Sequence, residues 1–338
     1  MNHSGFYWLV FGRNLLEASS GQDCRPDLLT LGEPLVCLAA RQSRLVHAHE
    51  LVKSIGGAEA NLAIGLSRMG LRTRFLGWVG DDPFGEEVIR TLRGEGVDVA
   101  DVQRSADRPT GLMVRESASA DGVNVYYYRR GSAATGLGVT TIPDDESPPR
   151  HIHVTGITLA LGSGPSKAVH ELLARAVAWG VPVSFDPNFR LKLSTLDEAV
   201  SVSKAVLDHV DHLLLSEFEA LSITGTSTPE GALESLKGSV AHVVLRRGEH
   251  GALAAAEAFE RIEVPAVSVG PMVDSVGAGD GFTAGYLYEI LRGRDFPTSL
   301  ATGAWSAGHV VAHQGDYEGL PFRADYEAWA TDRPTVHR

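Results

Sequence analysis

The feature that most limits the fold of this chain is a repeated alternation of short apolar runs with segments of helical spacing. The run Thr73–Val79 precedes the helical pattern Phe84–Leu92, and His151–Thr155 precedes Ser166–Trp179. Strands that alternate with helices form a mostly parallel sheet with helices on both faces. The sequence therefore predicts an α/β fold with a three-layer α/β/α core. Further members of the series are Ala58–Met69, Val181–Phe185, Thr195–Leu207 and His212–Leu215.

Two segments depart from this alternation. Residues 98–131 contain the short strands TGLMVRE and GVNVYYYRR, whose polar and apolar residues alternate without room for a helix. Together with residues 39–54 they predict a small β-sheet lid. The run Leu28–Leu38 is interrupted by Gly-Glu-Pro, which predicts a buried strand that stops at a functional bend. We assign residues 27–330 to one domain and interpret residues 1–26 as a loosely ordered N-terminal extension.

Charge and composition argue against several kinds of partner. The net charge of −12 produces a diffuse negative field that repels nucleic acid and anionic membranes. No apolar stretch reaches the roughly 18 residues that suggest a membrane span. The cysteines, Cys24 and Cys37, are too few for a disulfide framework, which fits a reducing cytoplasm. We expect a cytoplasmic protein that binds neither nucleic acid nor membrane and holds any anionic ligand with local cations.

The segment Val273–Phe282 (VDSVGAGDGF) carries the clearest chemistry. Gly277 and Gly279 let the backbone turn so that successive N–H groups, including that of Ala278, face one point at a helix N-terminus, where a phosphate binds. Asp280 lies at the edge of this turn and can accept the proton of a hydroxyl that attacks a γ-phosphate. Helix-end fields and backbone donors are expected to favour its ionised form. The alternative is that Asp280 only caps the helix.

A second glycine pair, Gly56 and Gly57, opens the helical segment that contains Asn61. Paired glycines allow a close approach of ligand to backbone, and the Asn61 amide offers both a donor and an acceptor. This combination suits a hydroxylated ligand. On these residues alone, a plain junction between a loop and a helix is the favoured alternative.

These glycine segments resemble the signature regions of a known family. Gly56–Gly70 (GGAEANLAIGLSRMG) and Asp274–Asp280 resemble the two signatures of the ribokinase-like, or PfkB, carbohydrate kinases. Between them, Phe75–Gly85 (FLGWVGDDPFG) is similar to the strand and loop after the first signature. The resemblance covers roughly residues 27–330 and implies a ribokinase-like fold with ATP and Mg²⁺ as cofactors. The residues that it assigns to catalysis are Asp280 as general base and Gly277, Ala278 and Gly279 as the anion hole.

The same resemblance implies a nucleotide site. Arg246, Gly248 and Gly251 (VVLRRGEHGA) would lie beside the nucleotide phosphates, although many relatives carry Lys at the position of Arg246. Ser216 and Glu219 (SEFE) resemble an Asn-x-x-Glu element that helps to organise Mg²⁺, with Ser216 in place of Asn. Glu219 would act on Mg²⁺ through water, and no residue is expected to bind the metal directly.

The choice of substrate depends on other residues of the cleft. A sugar acid carries a carboxylate, which guanidinium groups bind in bidentate geometry. Arg129 ends the strand VYYYRRG, and Arg190 follows the core strand SFDPNFR, at the edge where ligands bind in open α/β sheets. Tyr127, two residues before Arg129, would share its face of the strand. The alternative is that both arginines make only solvated or surface ion-pair contacts.

Several segments, among them YYYRRGSA, SFDPNFR and HQGDYEG, resemble the 2-keto-3-deoxygluconate kinases of this family. That resemblance implies phosphorylation of 2-dehydro-3-deoxy-D-gluconate at its 6-hydroxyl. It also implies that Asp316 holds sugar hydroxyls, although a plain loop acid beside Gly315 is the alternative. From their position at the end of the strand in SFDPNFR, we expect Asp186 and Asn188 to orient Arg190 or to bind phosphate through water. Some relatives place Tyr at Met113, so the exact sugar acid stays open. The residues implied to contact substrate are Gly56, Gly57, Asn61, Tyr127, Arg129, Arg190 and Asp316.

Three other functions stay open. One is a kinase of the same fold that acts on a neutral ketose such as fructose, which is distinguished by whether Arg129 and Arg190 converge in the cleft. Another is a non-catalytic ligand-binding protein on this scaffold. A nucleotide-dependent dehydrogenase is less favoured because no Gly-x-Gly-x-x-Gly follows the first strand. We expect a homodimer that pairs through the lids, since a small exposed sheet leaves edges to cover.

Overall fold

The computed structural model describes residues 25–40, 44–118, 122–143 and 148–331, which form a nine-stranded sheet, flanking helices and a separate four-stranded sheet. The strands are β1 Leu28–Gly32, β2 Leu35–Ala40, β3 Val52–Gly56, β4 Thr73–Gly80, β5 Val102–Ser105, β6 Leu112–Ala118, β7 Gly122–Tyr128, β8 Ile152–Thr155, β9 Val183–Asp186, β10 His212–Ser216, β11 His242–Arg246, β12 Ala252–Ala256 and β13 Phe259–Val264. The helices are α1 Ala58–Arg68, α2 Pro83–Gly94, α3 Gly156–Ala160, α4 Ser163–Trp179, α5 Leu196–Lys204, α6 Glu217–Thr224, α7 Pro229–Leu236, α8 Ala278–Leu291, α9 Phe296–Val311 and α10 Arg323–Thr331.

The large sheet confirms the predicted α/β class. Its strand order is β13-β12-β11-β10-β9-β8-β1-β4-β5, and its neighbours are parallel from β11 through β5. The β11–β12 and β12–β13 pairs are antiparallel. The sheet therefore presents the carboxyl ends of seven parallel strands at a single edge, and the functional residues of an open α/β sheet gather there.

Alternation along the strands builds two apolar layers. Leu213 and Leu215 of β10 pack in a cluster with α4, α6 and α7, whereas Leu214 between them packs with α1, α8 and α9. In β4, Leu76 joins the first cluster, and Phe75 packs against α1 and α2 on the opposite face. Because successive strand residues point to opposite faces, a run that is apolar throughout needs cover on both sides. This requirement produces the three layers.

The lid differs in part from the predicted segments. Its strand order is β3-β2-β6-β7, and the predicted ranges 39–54 and 98–131 contain most of it. However, β5 pairs in parallel with β4 and extends the large sheet, so residues 98–105 are not lid. Parallel pairing satisfies the open edge of β4, which would otherwise leave N–H and C=O groups unpaired. The lid also includes β2, because the Gly-Glu-Pro bend passes the chain from the large sheet to the small one.

Some of the expectations fall outside the structure. The predicted N-terminal extension, residues 1–26, overlaps the described residues only at positions 25 and 26, so its loose order stays a prediction. Among the described residues, no helix is both long and apolar enough to cross a membrane.

Candidate active site

A cavity of about 1080 Å³ lies between the carboxyl edge of the large sheet and the lid. The loops after β1, β9 and β11 line it, together with the first turns of α1, α3, α6 and α8. Apart from Gly56 and Asp186, all of the residues that the sequence assigned to the site line this cavity: Gly57, Asn61, Tyr127, Arg129, Asn188, Arg190, Ser216, Glu219, Arg246, Gly248, Gly251, Gly277, Ala278, Gly279, Asp280 and Asp316.

Asp280 lies in the first turn of α8 and contacts the first signature segment. Its Oδ2 accepts a hydrogen bond from Nδ2 of Asn61 at 2.7 Å. The Oδ1 atom of Asn61 is buried and has no hydrogen-bond partner within the described residues, so it is available to a ligand hydroxyl. Gly277, just before α8, has a φ of 78°, a left-handed conformation that favours glycine. The two glycine segments, far apart in sequence, therefore meet at one carboxylate.

The protonation of Asp280 differs from the expectation. Burial raises the pKa of Asp280 to about 7, while the hydrogen bond from Asn61 and the nearby charges of Arg190 and Arg246 oppose the rise. The prediction that helix-end fields would favour the ionised form was therefore wrong in its net direction. The cost of burying a charge outweighs the field of the helix end at this position. A carboxyl group that titrates near neutral pH suits a general base.

Arg246 is held by Asp186. Its Nη1 donates to Asp186 Oδ2 at 2.7 Å, and its Nη2 donates to Asp186 Oδ1 at 2.9 Å. Nη1 also donates to the carbonyl of Gly279 at 3.1 Å, so the guanidinium stabilises the glycine turn. The expectation that Asp186 orients Arg190 is corrected, because both of its oxygens serve Arg246. Asn188 instead donates its backbone N–H to Asp186 Oδ1 at 3.1 Å.

Glu219 connects two loops of the cavity. Its Oε2 accepts from the backbone N–H of Ser216 at 2.6 Å and from the Ser216 hydroxyl at 2.8 Å, which caps α6. Its Oε1 accepts from the backbone N–H of Phe189 at 2.7 Å. Within the described part of the chain, no cluster of three or more His, Cys, Asp or Glu side chains could hold a metal ion. Because both oxygens of Glu219 already accept hydrogen bonds, a Mg²⁺ ion here would be bound mainly by nucleotide phosphates and water.

Arg129 has a partner that the sequence reasoning missed. Its Nε donates to Oε2 of the buried Glu33 at 2.6 Å, and Ser132 donates to the other oxygen of Glu33 at 2.5 Å. The ring of Tyr127 lies 5.3 Å from the Arg129 guanidinium, as its shared strand face predicted. Arg129 is therefore not a free carboxylate clamp, because a carboxylate already balances its charge. The Gly-Glu-Pro bend could have suggested Glu33, since a buried acid there needs a cation.

Arg190 lies in the loop after β9, where its charge acts on Asp280 without a direct ion pair. Its Nη1 donates to the carbonyl of Phe189 at 3.3 Å, and it forms no ion pair with any described residue. Lys192 of the same loop donates to the carbonyl of Val125 and lies 5.4 Å from the ring of Tyr126. The loop that carries Arg190 is thus tied to lid strand β7. Arg190 and Arg129 do line one cavity, but only Arg190 is free to bind an anion.

Asp316 is buried beside the first glycine pair. A Cβ on Gly56 would lie 2.2 Å from Asp316 Oδ2, so any other residue at this position would have to displace the carboxylate. Burial raises the pKa of Asp316 to about 7. Nη1 of Arg115 donates to its Oδ1 at 2.7 Å. Sequence reasoning missed Arg115, although the alternation in LMVRE places it on the same face of β6 as the cavity residue Met113.

This architecture defines a carbohydrate kinase, an enzyme that transfers a phosphoryl group from ATP to an alcohol. Residues 26–323 match the family described as pfkB family carbohydrate kinase, and the chain belongs to that family. The ribokinase-like fold implied by the signature segments is confirmed. A non-catalytic binding protein and a nucleotide-dependent dehydrogenase are set aside.

Individual relatives are more specific. The chain is 33% identical to the 2-dehydro-3-deoxygluconokinase of Bacillus subtilis (strain 168) over 318 residues. This alignment covers 92% of this chain and 98% of that relative. It is 32% identical over 310 residues to the 2-dehydro-3-deoxygluconokinase of Thermoproteus tenax, with 87% and 91% of the two chains covered. An E. coli chain described as a ribokinase II and solved with ATP and Mg²⁺ has a TM-score of 0.83 at 24% identity, with 91% of this chain and 100% of that chain covered. This last likeness shows the fold.

Proposed function

We propose that this kinase phosphorylates 2-dehydro-3-deoxy-D-gluconate at its 6-hydroxyl, with Asp280 as the general base. The observation that carries the proposal is the hydrogen bond between Asn61 and Asp280, in a cavity where the guanidinium of Arg190 has no direct ion pair with the described residues and can bind a carboxylate. The two similar 2-dehydro-3-deoxygluconokinases support the choice of sugar acid.

The transfer uses two groups of the α8 turn. The sugar hydroxyl loses its proton to the Asp280 carboxylate as its oxygen forms a bond to the γ-phosphorus, and the bond from that phosphorus to the β-γ bridging oxygen breaks to release ADP. Backbone N–H groups of Gly277 and Gly279 would face the charge that develops on the transferred group, whereas the N–H of Ala278 donates to the Ser275 carbonyl at 3.4 Å. Arg246 keeps this turn in place through the Gly279 carbonyl. Asn61 orients the base with one amide atom and a sugar hydroxyl with the other.

In this proposal the sugar and the nucleotide occupy two halves of the cavity that meet at Asp280. The sugar half contains Asn61, Tyr127, Arg190 and Asp316, whose polar groups match hydroxyls and a carboxylate. The nucleotide half contains small and apolar residues that suit a flat base, namely Gly248, Gly251, Ala266, Val267, Ala307 and Gly308. When bound, Mg²⁺ would neutralise phosphate charge, with Glu219 contacting its water shell.

We also propose that the enzyme is a cytoplasmic homodimer that pairs through its lids. Tyr126 and Tyr128 on β7 are 42% and 66% exposed, and large exposed aromatic side chains favour an interface. A cytoplasmic location fits an enzyme that consumes ATP. Sedimentation of the full chain tests the dimer, and Tyr128→Lys is expected to weaken it.

A neutral ketose such as fructose is a second candidate substrate. The ion pair between Arg129 and Glu33 favours it, because the site then offers one guanidinium without a direct ion pair to the described residues instead of two. A neutral sugar needs carboxylates and amides, and both are present at Asp316 and Asn61. The two candidates therefore differ mainly in what Arg190 contributes.

The test is coupled-assay ADP release with Mg-ATP and a panel of 2-dehydro-3-deoxygluconate, its galactonate epimer, gluconate, fructose, ribose and adenosine. Selective turnover of the keto-deoxy acids supports the proposal, and turnover of a neutral sugar alone overturns the substrate assignment. Asp280→Asn should remove most turnover while ATP binding persists. Arg190→Ala should raise KM for the acid substrate, whereas the exposed lid variant Arg130→Ala should not.

A further inference from the structure

Arg115 lies behind the sugar half of the cavity and joins three parts of the molecule. It belongs to lid strand β6 and is only 5% exposed. Its Nη1 donates to Asp316 Oδ1 at 2.7 Å, and its Nη2 donates to Asp274 Oδ2 at 2.5 Å. Asp316 follows α9, and Asp274 precedes α8. One guanidinium therefore connects the lid to two loops of the core.

Both acidic residues also contact the glycine turn, Asp274 through its carboxylate and Asp316 through its backbone. Asp274 Oδ1 accepts from the backbone N–H of Val276 at 3.1 Å, directly before Gly277. The backbone of Asp316 packs on Gly277 so closely that a Cβ there would lie 2.2 Å from the Asp316 carbonyl oxygen. The two acids thus bracket the turn that leads to Asp280. We therefore expect a displacement of either residue to displace the turn.

The charge balance makes Arg115 hard to replace. Asp274 and Asp316 are 8% and 3% exposed, and two buried carboxylates without a cation would repel each other strongly. A guanidinium reaches both because its nitrogens are fixed in a fork, whereas a lysine ammonium is a single point of charge. Arg115 therefore supplies geometry as well as charge.

We propose that Arg115 is a positioning residue, which sets Asp316 for the sugar and the glycine turn for phosphoryl transfer by holding both against the lid. The inference rests on the proposed sugar site at Asp316 and Asp280, but not on which sugar acid binds there. Arg115 itself does not line the cavity and acts through its two partners.

The charged surroundings of Asp316 give this role a distinctive pH signature. Arg115 faces Asp316 from β6, with Asp280 from α8, Asp274 from the loop before α8, Glu318 from its own loop, and the Cys37 thiol from β2. Burial raises the pKa of Asp316, and Arg115 opposes that rise. Loss of Arg115 should therefore raise the pKa further, so that Asp316 stays protonated to a higher pH. A sugar that is held by ionised Asp316 would then bind well only at higher pH.

The experiment measures kcat and KM for sugar and for ATP from about pH 6 to about pH 9. Arg115→Met should lower kcat/KM for the sugar about 100-fold near pH 7, the scale of a displacement of about 1 Å. Its sugar KM should recover as pH rises, while the KM for ATP changes little. Arg115→Lys should restore the pH profile but only part of kcat/KM. The matched control is Arg104→Met, which breaks the partly exposed ion pair with Glu86 and should change neither kcat/KM for the sugar nor its pH profile.

An unchanged sugar KM in Arg115→Met, or a loss that is equal at every pH, would overturn the positioning role. If Arg115→Met fails to fold, Arg115→Lys carries the test, and wild-type kcat/KM in that variant refutes the need for fork geometry. If the wild-type enzyme turns over no sugar, the proposed function fails separately. In that case hydrogen exchange tests the positioning role of Arg115. The backbone amides of Val276 and Gly277 should exchange faster in the Arg115 variants than in the wild type, and they should not do so in Arg104→Met.

Discussion

Asn61→Leu should shift the pH profile of kcat/KM while leaving the form of the profile unchanged. Leucine has the same branched side-chain skeleton as asparagine, although it is larger, and it cannot donate the 2.7 Å hydrogen bond to Asp280 Oδ2. That bond favours the charged carboxylate, so its loss raises the pKa of Asp280 above the value of about 7 that burial already produces. The acid limb of kcat/KM against pH should therefore move upward.

The size of this change follows from the strength of the bond. A hydrogen bond to a charged group contributes about 1.5–3 kcal/mol, and about 1.4 kcal/mol corresponds to one pH unit. The limb should move up by about one to two pH units. Near pH 7 the ionised fraction then falls from about one half to about one-tenth or one-hundredth, so kcat/KM falls about 5- to 50-fold.

The assay is coupled ADP release with subsaturating sugar from about pH 5.5 to about pH 10. The high-pH plateau is an internal control, because Asp280 is ionised there in both enzymes. A plateau that is lowered as well would measure the separate contact of Asn61 Oδ1 with the sugar. A limb at the wild-type pH would refute the reasoning, since it would mean that Asp280 is not the titrating base or that Asn61 does not tune it.

Three further predictions concern the turn and the core. Gly277→Ala should lower turnover about 100-fold and destabilise the fold by about 1–3 kcal/mol, because its Cβ would lie 2.2 Å from a carbonyl oxygen. Gly180 has the same left-handed backbone but open space around it, so Gly180→Ala should keep turnover, and equal turnover in both variants would contradict the prediction. The pKa of Asp280 is higher in the folded than in the unfolded chain, so its ionisation destabilises the fold as pH rises from about 4 to about 7. Asp280→Asn should therefore raise Tm at about pH 8 but not at about pH 4. The corresponding gain in the free energy of unfolding at about pH 8 is at most about 4 kcal/mol. Burial lowers the pKa of His151 and His153 to about 3, so between about pH 6.5 and about pH 3 only the unfolded chain protonates these two side chains. Each histidine should therefore destabilise the fold by about 2 kcal/mol at about pH 5. The urea midpoint of unfolding should fall from about pH 7 to about pH 5, and it should fall less in His151→Phe.

The order of elements could be predicted because it depends on local patterns. The helical spacing that follows Thr73–Val79 and His151–Thr155 appears as α2 and α4 in the structure. The small sheet was harder to predict, since residues 102–105 and 112–118 have similar strand patterns. Only the unpaired edge of β4 decides that the first of them joins the large sheet. Strand pairing is a choice between distant partners, and a strand pattern does not identify its partner.

The sequence by itself determined the glycine turn, the position of Asp280 in it and the fold around it, because turn conformation and apolar alternation are written in neighbouring residues. Only the tertiary structure decided which charges are free. Arg129 is neutralised by Glu33 across 96 positions, and Arg115 reaches Asp316 across 201. Burial likewise set the pKa of Asp280, against the expectation from its helix end. Ion pairing and desolvation depend on groups brought together from distant parts of the chain, and the local sequence around any one of them carries no record of its partner.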